Sequence, residues 1–100
     1  MASELTLFWS RRAQSKHRKF REYIARNDIE AAKKWARQTR DLTRNLIKQP
    51  KLGRKVPEFD RDDLRELIYA HHYRIVYRLS YKEIEIVTIF HTAQELPTKL

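Results

Sequence analysis

The sequence contains no cysteine, which excludes disulfide bonds, thiolate nucleophiles and cysteine-ligated zinc. Glycine occurs once, at Gly53, and proline three times, at Pro50, Pro57 and Pro97. Backbone breaks are therefore rare and gather between residues 50 and 57, where a helix must stop and the connection stays extended. No apolar run approaches the roughly 18 residues of a membrane helix, and no basic-then-apolar leader opens the chain. The expectation is a protein without a membrane span or export signal, and the lack of cysteine fits a reducing cytoplasm. One hundred residues allow one small domain over residues 1–100, with 97–100 as a loose tail.

Acidic residues are also in short supply: 13 against 22 Lys and Arg, a net charge of +9. Residues 1–55 hold 16 basic and 5 acidic side chains, whereas residues 56–100 hold 6 and 8. The basic field belongs to the first half, and such a field favours polyanionic partners, either nucleic acid or an acidic protein.

Glu4–Trp9 alternates Leu5, Leu7 and Trp9 against Thr6 and Phe8 and reads as a strand, with Ser10 positioned to cap a following helix. From Arg11 to about Arg26, Ala13, His17, Phe20, Tyr23 and Ile24 recur at helical spacing among charged residues. Asn27, with Glu30 three residues on, resembles a capping box for a second helix over about 28–48. There Ala32, Trp35, Thr39, Leu42 and Leu46 follow steps of three and four, the seam of two antiparallel helices, and the short link forces a helical hairpin. Trp9 and Trp35 fall on the stripes expected to be buried. Three strands follow: Leu64–Tyr69, Tyr73–Leu79 and Ile84–Phe90. Their short connections require an antiparallel meander. The fold expected is α+β, a strand, a two-helix hairpin and three strands, with the helices on one sheet face.

Period-two alternation places Tyr73, Ile75, Tyr77 and Leu79, with Ile84, Ile86 and Phe90, beneath the helices. The opposite face then carries Arg74, Val76, Arg78, Glu85, Val87 and Ile89, a mixture that reads as a partner-binding surface. Arg74 has a structural alternative, a pair with Glu85 across the hairpin. His71 and His72 adjoin in a turn, but adjacent side chains diverge and lack a carboxylate cluster, so no metal site and no cofactor is expected. His91 closes the last strand, where a histidine serves as acid/base or as a hydrogen-bonded edge residue.

Gly53-Arg54-Lys55-Val56-Pro57-Glu58, then Asp63-Leu64-Arg65-Glu66-Leu67, then Tyr73-Arg74-Ile75-Val76-Tyr77-Arg78 resemble the signature of the ParE/RelE superfamily. Those proteins are toxins of bacterial type II toxin–antitoxin systems, also called plasmid-stabilisation proteins. Tyr23–Asn27, Glu30–Ala32 and the closing Ile89-Phe90-His91 are similar too, so the resemblance spans roughly residues 4–97. The fold it implies is the layout already reached from periodicity.

The resemblance implies a toxin neutralised by a cognate antitoxin in a hetero-oligomer. ParE-like members bind and poison DNA gyrase without catalysis; RelE-like members cut messenger RNA on the ribosome. A third reading is a non-toxic partner-binding module in antitoxin-linked autoregulation. If the chain is a ribonuclease, Arg65, Arg74 and His91 are the catalytic candidates, but Leu67 and Ala93 stand where ribonucleases place basic residues. The ending His91–Pro97 is closer to the ParE type, which makes gyrase the favoured target. Arg65, Arg74, Arg78 and His91 then form the expected target-binding set. Lys33, Lys34, Arg37 and Arg40 form an electrostatic face toward the antitoxin.

Overall fold

In the computed structural model, residues 5–92 are described. They run as β1 (Thr6–Trp9), α1 (Arg11–Ala25), α2 (Ile29–Arg44), a 3₁₀ turn (Asn45–Ile47), β2 (Arg54–Lys55), β3 (Leu64–Tyr69), β4 (Tyr73–Ser80) and β5 (Glu83–His91). One five-stranded sheet has the order β1-β5-β4-β3-β2, with β1 parallel to β5 and the other pairs antiparallel. The helical hairpin packs on one face, as expected for this α+β arrangement. Periodicity alone missed β2, because two residues carry no period. The proposed tail at 97–100 and the position of Ala93 lie outside the described residues.

Local chemistry accounts for the helix boundaries. Ser10 Oγ accepts from the Ala13 N–H at 3.0 Å, the cap expected for α1. The cap of α2 is Asp28 rather than Asn27. The Asn27 N–H is spent on Ile24 O in the turn closing α1, while Asp28 is extended (φ −157°) and its Oδ1 accepts from Ala31 N at 3.0 Å. With Ala31 in the third position no capping box forms, and Glu30 instead supports the positive end of the helix. The α-helix ends at Arg44 and tightens into the 3₁₀ turn rather than running to Lys48. Along the seam Ala32, Trp35, Thr39 and Leu46 are buried, as their spacing predicts; Tyr23, on the α1 stripe, is instead 63% exposed.

A β-bulge corrects the assignment of sheet faces. Val76 faces Thr88 but Tyr77 faces Ile86, so Val87 is an extra residue in β5. Before it, Ile84 and Ile86 point to the helices; after it the phase reverses, so Ile89 joins them and Phe90 leaves. Alternation without the bulge had placed those two residues the other way round. Ser10 holds the bulge: its hydroxyl donates to Val87 O at 2.7 Å, and its N–H donates to Ile86 O at 2.9 Å.

The face away from the helices is consequently not an open surface. Val56, Leu64, Val76, Val87 and Phe90 form a second small core, with Phe59 packed against it from the segment between β2 and β3. Thr88 lies opposite Val76, fully buried, and its hydroxyl has no hydrogen-bond partner among the described residues. Thr88→Val keeps the shape and removes a desolvated hydroxyl. It is expected to stabilise the fold by about 1 kcal/mol, read as a raised urea midpoint; a lowered midpoint would show that the hydroxyl is satisfied.

Candidate functional site

The arginines fall into two populations. Those of the sheet are consumed by the fold. The Arg74 side chain is 12% exposed; its Nε donates to Glu66 Oε1 at 2.6 Å, and its two terminal nitrogens reach Glu58 at 2.8 and 2.9 Å. The Glu66 side chain has no exposed surface, and its second oxygen accepts from Arg54 Nε at 2.7 Å. This double clamp, chiefly the hydrogen bonds from Arg74, pulls Glu58 down to a pKa of about 2. Arg65, equally enclosed, donates to Gly53 O at 2.8 Å and to both the carbonyl and the carboxylate of Asp62. Arg78 takes the cross-hairpin partner considered for Arg74, meeting Glu85 at 3.1 Å, because register places those two opposite each other.

These positions divide the expected target-binding set between the two sides of the sheet. Arg65 faces Tyr77 in the ladder and shares the helix-covered side with Leu67, whereas Arg74 and Arg78 lie on the other side. His91 pairs with Tyr73, again on the helix side, and stacks on His72 with ring centres 6.0 Å apart. Arg65, Arg74 and His91 therefore do not converge on one point where a phosphate could be gripped and a proton transferred. Sequence could not show this, since the carboxylates that neutralise Arg74 come from β3 and the loop before it.

The helical hairpin carries the second population. Among the described residues, Arg11, Arg12, Arg18, Arg21, Arg26, Arg37 and Arg40 have no carboxylate partner. Of the expected electrostatic face, Lys34, Arg37 and Arg40 are exposed and without ion pairs, while Lys33 leans on Glu30 at 3.6 Å in solvent. Two clefts indent this surface. One, of about 520 Å³, is lined by Lys16, Lys19, Phe20, Tyr23, Tyr73 and His91 and is mainly apolar with a cationic rim. The other, of about 460 Å³, is lined by Trp9, Gln14, His17, Arg18, Arg21 and Arg40.

His17 underlies the second cleft, and sequence had placed it on the buried stripe without a role. Its Nε2 lies 2.8 Å from Thr39 Oγ1, and its ring sits edge-on to Trp9 and stacked on Trp35. The Thr39 hydroxyl proton is directed at the Trp35 and Ala36 carbonyls, so Nε2 donates to its oxygen. Burial, then the nearby Arg40 and Arg21 charges, lower its pKa to about 4. A histidine depressed in the folded state leaves stability untouched above its unfolded value near 6.5. It withdraws stability as pH falls from there to about 4, by about 3 kcal/mol in all. Urea denaturation at pH 7 and pH 4.5 should show this loss, and His17→Gln should flatten that stretch of the profile. An unchanged profile in the variant would assign the acid sensitivity to other groups.

Taken together, the fold and the hairpin define a small basic α+β protein whose cations without carboxylate partners gather on its helical side. The sequence belongs to the ParE toxin family of type II toxin–antitoxin systems (parDE), whose family model matches residues 7–96. A chain of the solved chromosomal ParDE toxin–antitoxin system from P. aeruginosa has the same fold. Its TM-score is 0.74 at 21% identity, covering 90% of this chain and 98% of that one. No curated protein matches the sequence.

Proposed function

We propose that this chain arrests growth by binding DNA gyrase, and that a cognate antitoxin neutralises it by covering the helical hairpin. The family supports gyrase as target, since the ParE resemblance implies binding without chemistry. The observation that carries binding over catalysis is the neutralisation of Arg65 and Arg74 within the fold, on opposite sides of the sheet from each other. A ribonuclease needs cation, acid and base around one phosphate, and these residues are not so arranged.

The antitoxin is expected to be acidic, with apolar anchors for the cleft around Phe20, Tyr23 and Tyr73 and carboxylates for Lys16 and Lys19. A supercoiling assay tests the target: the purified chain should inhibit gyrase, and equimolar antitoxin should restore activity. Unimpaired gyrase together with codon-spaced cuts in translated messages would assign the chain to the ribonuclease branch instead. Growth arrest by neither route would leave the autoregulatory module.

A further inference from the structure

Seven hairpin arginines are without carboxylates among the described residues, and the cleft beside Trp9 draws three of them together. Gln14, Arg18 and Arg21 lie at steps of four and three along one stripe of α1, and Arg40 faces them from α2. Among the described residues no acidic side chain lines the cleft. Elsewhere on the hairpin Arg44 meets Asp41 at 3.0 Å, whereas Glu22, one turn along α1 from Arg18, makes no ion pair among the described residues. Among the described residues none of the three guanidinium groups has a carboxylate partner, so their mutual repulsion is not relieved by an ion pair.

The wall holding them is rigid. His17, 2% exposed, ties α1 to α2 through Thr39 and is packed between the rings of Trp9 and Trp35. The Gln14 side chain is anchored on Trp9 O at 3.0 Å, and the Arg40 guanidinium lies 5.8 Å from the Trp9 ring centre. The frame beneath the cleft is therefore set before an anion arrives, and only the exposed guanidinium side chains need be ordered on binding.

We propose that this cleft is a binding site for a phosphoryl oxyanion. A single carboxylate satisfies one guanidinium fork and leaves the other two uncompensated. A phosphoryl group carries more charge and offers three acceptor oxygens, enough to engage Arg18, Arg21 and Arg40 together. The site is separate from the apolar cleft given to the antitoxin and does not depend on gyrase being the target. The phosphoryl group could belong to a free nucleotide or to a nucleic-acid backbone, and the chemistry recognised is the same.

Calorimetric titration of the intact chain with inorganic pyrophosphate, a nucleoside triphosphate, a short single-stranded oligonucleotide and hexaglutamate tests this. Pyrophosphate should bind once per chain. Arg21→Gln with Arg40→Gln should weaken it by about tenfold or more. Lys34→Gln with Arg37→Gln, an equal loss of charge elsewhere on the hairpin, should change it by no more than about twofold. Tighter binding of the triphosphate or of the oligonucleotide would each support the site and identify its source. Equal weakening by both double variants, or hexaglutamate binding tighter than every phosphate, would overturn it. A second readout is independent of affinity: saturating pyrophosphate should raise the His17 titration midpoint, followed by NMR, because the anion cancels the field of Arg21 and Arg40. An unmoved midpoint would place the anion elsewhere.

Discussion

Gly53→Ala is expected to be the most damaging single-methyl change in this protein, lowering stability by about 3 kcal/mol or more. Gly53 has no positive φ, so its requirement is for space, not for a left-handed backbone. A Cβ built there would lie 2.5 Å from the Glu66 carbonyl oxygen, 2.7 Å from Tyr77 Cε1 and 2.8 Å from Tyr77 Oη. None of these can yield cheaply. The carbonyl belongs to the β3 backbone, and Tyr77 is fully buried with its hydroxyl fixed at both ends. That hydroxyl accepts from Gly53 N–H at 2.9 Å and donates to Pro50 O at 2.8 Å. Making room therefore breaks the link by which the end of the helical unit is fastened to the centre of the sheet. Tyr77→Phe separates the two causes, since it deletes the hydroxyl without the clash and should cost only about 1–2 kcal/mol. Equal losses in the two variants would mean that the loop moves aside for the methyl group.

Arg74→Ala is expected to cost about 3 kcal/mol, through the charge it leaves behind more than through the contact it removes. Glu66 would remain fully buried with only Arg54, whose own side chain is 60% exposed. Glu58 would lose both hydrogen bonds that hold it ionised. Because Glu58 is depressed, its contribution is fully present above about pH 4.5 and disappears as pH falls through about 2. Arg74→Ala should move that loss toward the ordinary carboxylate range. Replacing the pair together, Arg74→Met with Glu66→Met, should be less destabilising than Arg74→Ala alone, since no unpaired charge stays buried. If the single and double variants are equally stable, the ion pair has no structural part and Arg74 returns as a target contact. Abolished toxicity in Arg74→Ala is informative about function only alongside the folded fraction.

Much of the fold was legible because its signals are local. Ser10 caps α1 using an atom three residues away, and the seam from Ala32 to Leu46 is a period any window reveals. Strands β3, β4 and β5 announced themselves by β-branched and aromatic runs, and their short connections left no choice but an antiparallel meander. Of the candidate site, the basic character of the hairpin was legible as charge, but its three-arginine cleft was not. Arg18 and Arg21 sit about twenty residues from Arg40, and only helix packing brings them to one concavity.

The sequence by itself determined the two helices and the four longer strands, their order, the helical seam and the concentration of positive charge in the first half. Short-range spacing and composition carry all of these. Tertiary structure alone decided that Ile89 turns inward and Phe90 outward, because one bulged residue, held by Ser10 from 77 positions away, reverses a period of two. It also decided which arginines are spent and which are available. An arginine's identity is written in the chain, but the carboxylate that neutralises it is chosen by the fold. Glu58 and Glu66 reach Arg74 from 16 and 8 residues away, and among the described residues none reaches Arg21 or Arg40.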